Sequence, residues 1–141
     1  MRHLRTLTVA ALFVAGAGCS GITEPESPGF EFVSAPVFGV RRSPPVVEGG
    51  EGHVDLSGVF EVPHSAFTIT GWLAVPGSRS IHLRVRGNPQ SEGLQFASLH
   101  FYQSRVSRLP KGTYDVAISY VVMKGALRDS NVVWTGVTTV R

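Results

Sequence analysis

"HVDLSGVFEV", His53–Val62, alternates apolar and polar residues with a period of two. Val54, Leu56, Phe60 and Val62 fall on one side, while Asp55, Ser57 and Glu61 fall on the other. Successive side chains of an extended chain point to opposite faces, so this pattern describes a strand with one face on a core and the other in water. An amphipathic helix would repeat its apolar residues every three or four positions instead. The same alternation continues downstream. In "AFTITGWLAV", Phe67, Ile69, Leu73 and Val75 alternate with Thr68, Thr70 and Trp72. In "SIHLRVR", Ile81, Leu83 and Val85 point inward, and His82, Arg84 and Arg86 point outward. Half-buried strands of this kind are typical of antiparallel sheets.

Working outward, "LQFASLHFYQ" (94–103) is apolar on both faces and reads as a central strand or a bulge. "TYDVAISYVV" (113–122) places Tyr114, Val116, Ile118, Tyr120 and Val122 on one side, and "VVWTGVTTV" (132–140) is a final strand. "FEFVSAPVFGV" (30–40) reads as a strand or docked edge segment. "RRSPPVVEGGEG" (41–52) reads as a loop, because Pro44-Pro45 and Gly49-Gly50 interrupt a hydrogen-bond ladder. No helix-period segment longer than a turn follows residue 18. Short strands separated by Gly and Pro turns give an all-β expectation: one antiparallel sandwich of about six to eight strands over 30–141, with its core in 52–141.

The N-terminal residues have another character. Arg2 and Arg5 precede the apolar run Leu7–Val14, and small residues Ala15–Gly18 follow, which is the layout of a secretory signal. The uncharged run Thr6–Gly18 is 13 residues, short of the ~20 that span a bilayer core. Two cleavages fit. Ala15-Gly16-Ala17 matches the A-x-A pattern of ordinary signal peptidase. Ala17-Gly18-Cys19 resembles the lipobox of bacterial lipoproteins, with Gly16 where that family favours leucine. The resemblance implies that residues 1–18 are a lipoprotein signal peptide, that the Cys19 sulfur is joined to diacylglycerol, and that the new amine is acylated. It gives the chain's single cysteine a role without a thiol partner. Ser20 after the cysteine, in place of aspartate, resembles the outer-membrane default of that family. Residues 19–29, with Pro25, Pro28 and two glutamates, read as a flexible stalk. The expected location is therefore a bacterial envelope, with the chain facing the periplasm or the cell surface.

"LPKGTYDVAI", Leu109–Ile118, resembles the "L-P-x-G-x-Y-x-V" entry to a late strand in immunoglobulin-like and transthyretin-like sandwiches of exported proteins. Pro110 and Gly112 make a turn, Tyr114 returns its hydroxyl to nearby backbone, and Val116 begins the core face. The stretch from Gly52 to Arg141 is similar to small bacterial lipoproteins built on one such sandwich. That likeness implies a fold and carries no activity.

Candidate chemistry is sparse. His53, Asp55 and Ser57 have the residue types of a catalytic triad on one strand face. Alternate strand residues stand about 6.6 Å apart, whereas a nucleophile and its base need about 2.6–3.2 Å. A solvated face accounts for them, and no catalytic residue is assigned. His53, His64, His82 and His100 are scattered singly, so no metal or cofactor is expected and surface histidines are the simpler reading. The formal charge is +3, but losing Arg2 and Arg5 with the signal takes two of the 13 basic residues and none of the 10 acidic ones, leaving +1. That balance argues against nucleic acid as a partner.

Basic residues concentrate in the second half. Arg84 and Arg86 share an outer strand face, and Arg105 and Arg108 crowd the segment before Tyr114. Guanidinium groups in such a ladder suit phosphates or carboxylates of lipid headgroups or an acidic envelope polymer. An ordinary soluble face has the same composition. Trp72, outward beside Thr68 and Thr70, either stacks on a sugar or protein partner or covers a neighbouring loop such as 30–40. The expected function is a lipid-anchored, non-catalytic envelope module that binds membrane lipid through its N-terminal acyl chains and an envelope protein or polysaccharide through its body. The alternative is an accessory subunit that pairs through an edge strand.

Overall fold

The computed structural model describes residues 27–90, 97–124 and 127–141. The expected signal peptide, Cys19 and most of the stalk lie outside the described residues. Eight strands run in chain order: β1 (Gly29–Val37), β2 (Val46–Gly49), β3 (His53–Val62), β4 (Phe67–Gly77), β5 (Ser80–Pro89), β6 (Ser98–Ser107), β7 (Gly112–Lys124) and β8 (Leu127–Val140). They form two four-stranded sheets, sheet A in the order β1-β6-β3-β2 and sheet B in the order β4-β5-β7-β8. This is the all-β sandwich that the alternation predicts. Pairing is antiparallel throughout except between β5 and β7, which run parallel. The chain leaves β5, crosses to sheet A as β6, and returns as β7, so β5 and β7 point the same way.

β3 repeats the reading of its sequence: Val54, Leu56, Phe60 and Val62 have no exposed surface. They meet Ile81, Leu83, Val85, Val116 and Ile118 from sheet B in one core. Each such side chain taken fully out of water stabilises the fold by about 1.5–3 kcal/mol. β1 lies over β4, where the Ser34 hydroxyl donates to the Ile69 carbonyl at 3.2 Å. At the other side β2 lies over β8.

The segment read as a loop, 41–52, contains β2, whose Val46 to Gly49 pair with Ser57 to Val54. Pro44-Pro45 stand before its first residue and Gly50 after its last, so neither interrupts the ladder; four residues fit between them. Val75, expected inward, is exposed, because β4 shifts register between Ala74 and Gly77. β6 is central, as its two apolar faces suggest. β8 bulges opposite Ile118 and Ser119, which turns both Val133 and Trp134 onto the core.

Register defines two poles. Gly29, His53 and Ser107 stand level at one end of sheet A, and Val37, Glu61 and Leu99 at the other. The Leu109 amide bonds to the Gly52 carbonyl and the Arg141 amide to the Gly50 carbonyl, so the entry to β7 and the end of β8 share the first pole. Ser27, which leads into β1, also sits there: its carbonyl accepts from Arg108 Nε at 3.0 Å.

The Leu109–Val116 entry closes as its residues imply. Tyr114 donates its hydroxyl to the Pro110 carbonyl at 2.8 Å. Gly112, at φ +145°, leaves room for the Arg79 guanidinium, which donates to the Lys111 carbonyl at 2.8 Å and stacks on the Tyr114 ring. Tyr114→Phe keeps the buried ring and removes the bond, so its expected cost is about 1 kcal/mol in a urea melt.

Candidate functional site

Alternation along β4 and β5 turns Thr68, Thr70 and Trp72, with His82, Arg84 and Arg86, to the outer face of sheet B. Trp72 stands directly across from Arg84, and Thr70 across from Arg86. The two guanidinium carbons lie 5.4 Å (Arg84) and 4.7 Å (Arg86) from the indole centroid. Half of Trp72, 50%, remains exposed. Contacts of this geometry at an exposed site are worth about 0.5–1 kcal/mol each. Phe32 of β1 enters the sandwich and packs on Gly71, the neighbour of Trp72, where a Cβ would overlap its ring.

Among the described residues, neither Arg84 nor Arg86 forms an ion pair, and Arg86 Nε is shut from solvent without an acceptor. The strand register sets out the surroundings. One row across the sheet reads Trp72, Arg84, Ser119, Val132; the next reads Thr70, Arg86, Val121, Ser130. Asn88 donates to the Thr70 hydroxyl at 3.3 Å. His82 Nε2 and the Ser119 hydroxyl are 2.7 Å apart. Burial, and then the charge of Arg84, hold the His82 imidazole below its usual pKa.

Arg105 and Arg108 belong elsewhere. Arg105, on the outer face of sheet A, grips both carboxylate oxygens of Asp55 at 2.7 and 2.8 Å. That hydrogen bond lowers the Asp55 pKa against the opposing effect of burial and raises that of Arg105. Arg108, at φ +56°, holds the Ser27 carbonyl at the first pole. The four arginines singled out by sequence therefore divide into a Trp72-centred pair and two with structural partners.

His53 Nε2 lies 3.5 Å from Asp55 Oδ2, but Arg105 already occupies both Asp55 oxygens. Among the described residues, no hydrogen bond joins Ser57 to either, and no group of three or more His, Cys, Asp or Glu is placed to hold a metal ion. His82 and His100 sit on different sheets. His100 departs from the surface reading: it is 7% exposed, at the second pole, with Nε2 3.3 Å from the Ser98 hydroxyl.

Burial holds the His100 pKa below the usual 6.5. The unfolded chain then binds more protons than the fold below about pH 6.5, so stability is full above that value and declines as pH falls toward the lowered one. Urea midpoints at pH 7.5 and 5.5 check this. His100→Gln removes part of the expected loss, and adding His82→Gln removes more.

One feature escapes a linear reading. β2 begins opposite Ser57, leaving the rest of β3 unpaired on that edge, and a cleft of about 380 Å³ opens there between Phe60, Tyr120, Val122 and Val133, with Arg42 paired to Glu61 at its rim. The only signal for it in the sequence is the brevity of the segment between Pro45 and Gly50. Comparison with protein-family models, curated proteins and solved structures returned no match.

Proposed function

We propose that this chain is a lipid-anchored, non-catalytic module of a bacterial cell envelope, whose rigid sandwich presents the outer face of sheet B to an envelope partner. Kinship with immunoglobulin-like or transthyretin-like sandwiches of exported lipoproteins is part of that reading. The observation that carries it is the half-exposed Trp72 ring bracketed by Arg84 and Arg86. A large amphipathic ring left open between two cations is a recognition surface rather than a core element.

The anchor rests on Cys19 and its lipobox-like setting. Two or more acyl chains hold a protein at a membrane stably, at about 0.8 kcal/mol per buried methylene. The described chain begins at the first pole, where Arg108 fixes Ser27, so a tether arriving there leaves the sheet faces lateral and accessible. Cys19→Ser is expected to move the protein from the membrane fraction to the soluble fraction. Unchanged sedimentation with membranes contradicts the anchor.

A second reading, an accessory subunit pairing by an edge strand, draws on β8. This 14-residue strand ends sheet B and exposes Val132 (62%) and Val137 (63%). Backbone pairing predicts a complex insensitive to moderate salt, whereas an arginine-lined site predicts one that weakens as salt rises.

A further inference from the structure

We infer that the outer face of sheet B around Trp72, Arg84 and Arg86 binds an acidic polysaccharide, a polymer whose sugar rings carry carboxylates. This gives a ligand class to the binding face proposed above and rests on that reading for where the polymer is met. The chemistry has two parts that no single ordinary ligand group satisfies. A sugar ring presents an apolar C–H face, which stacks on an indole, and Trp72 keeps half its surface open for it. A carboxylate takes two parallel N–H bonds from a guanidinium. Both guanidinium carbons lie within 5.4 Å of the indole centroid, so a carboxylate on a sugar seated at the exposed part of Trp72 meets a cation on the same face.

Both guanidinium groups already lie against the indole. Among the described residues no carboxylate pairs with either arginine, and Arg86 Nε is buried without an acceptor. A cation fixed before binding loses less entropy on meeting its anion. The two rows that contain these residues hold no acid; they offer the hydroxyls of Thr70 and Ser130, with Asn88 bonded to Thr70. Arg84 and Arg86 lie two positions apart on one strand, a separation of about 6.6 Å. A chain of linked anionic sugars reaches both at once, and a free monosaccharide does not. A lipid surface fits less well. The described residues begin at the pole marked by Ser27 and Arg108, whereas Trp72 lies on a lateral sheet face beside two cations.

The test is affinity electrophoresis of the full chain in detergent, through gels containing polygalacturonate, hyaluronate or neutral dextran, beside flotation with vesicles rich in anionic phospholipid. The expected result is retardation by an acidic polymer and none by dextran, weakening as salt rises from roughly 50 to 200 mM. Trp72→Ala, and separately Arg84→Gln with Arg86→Gln, each weaken binding at least about tenfold. Arg105→Gln, on the other sheet, leaves binding unchanged. Thermal melts confirm that each variant is folded; if Trp72→Ala unfolds, the arginine pair carries the decision. Retardation by neither acidic polymer, equal retardation by dextran, binding unaffected by the variants, or capture by the vesicles in place of the polymers overturns the inference. Cys19→Ser separates it from the anchor. Lost membrane association with polymer binding retained supports both; unchanged membrane association with polymer binding retained removes only the anchor, and lost membrane association in a protein that no acidic polymer retards removes only the polymer inference.

Discussion

Tyr102→Ala is expected to lower unfolding free energy by about 3–5 kcal/mol, the cost of deleting a large aromatic from a packed interior. Tyr102 has no exposed surface. Its ring stacks with Phe32 at 6.0 Å and meets Tyr120 edge-on at 6.0 Å, and Tyr120 in turn meets Phe60 at 4.6 Å. Gly58, directly across from it, supplies the space: a Cβ there would lie 2.7 Å from the Tyr102 hydroxyl. The hydroxyl itself has a partner, since Tyr120 Oη lies 3.4 Å away and donates to the Val59 carbonyl at 3.0 Å. Burial, with the Tyr120 contact adding to it, raises the Tyr102 pKa well above the usual phenol range, so the group stays neutral. Tyr102→Phe therefore costs about 1 kcal/mol or less, while Tyr120→Phe, which leaves the Val59 carbonyl without its donor and the Tyr102 hydroxyl without its acceptor, costs about 1–3 kcal/mol. Urea melts of the three variants test the ranking. A Tyr102→Ala loss below about 1 kcal/mol contradicts the packing of the two sheets through these rings.

Gly49→Ala carries the second large effect, about 2–3 kcal/mol, for a different reason. At this position β2 crosses β8 so closely that a Cβ would overlap the carbonyl of Thr139, and backbone cannot swing aside as a side chain end does. The strand must lift from β8, which strains the bond from the Arg141 amide to the Gly50 carbonyl beside it. Gly77→Ala is the matched control. Its Cβ would find its nearest neighbour, the Ser80 hydroxyl, at 3.7 Å, an ordinary contact, and a change within about 0.5 kcal/mol is expected. Equal melting of the two variants would show that β2 does not seat on β8.

The period-two pattern made most of the fold legible. It assigns β3 side by side with its buried residues and places Trp72, Arg84 and Arg86 outward, while the resemblance of 109–118 to a late-strand entry marks Tyr114 as a residue that bonds back to its own turn. Such features are local, because a strand's faces follow from alternation alone. Pairing is not local. Nothing in the residues of β5 and β7 says that they run parallel, since that depends on the path through β6. Nor does the sequence say that Arg105 finds Asp55 fifty residues away, while Arg84 and Arg86 find an indole on the neighbouring strand. β2 was hidden because prolines and glycines that end a ladder also bracket a short strand. His100 reads as a surface residue, because imidazole is tolerated inside when neutral and burial leaves no mark on its neighbours in sequence. The Trp72 site was thus visible as a set of outward residue types, and its geometry was settled by register.

The tethered-module account stands most directly on the state of the mature N-terminus. Intact-mass and peptide mass spectrometry of protein isolated from envelopes of the cells that make it should find a polypeptide beginning at Cys19 and carrying diacylglycerol with an acylated amine. A mature chain beginning at Gly18 with a free thiol, or one that keeps residues 1–18, contradicts it.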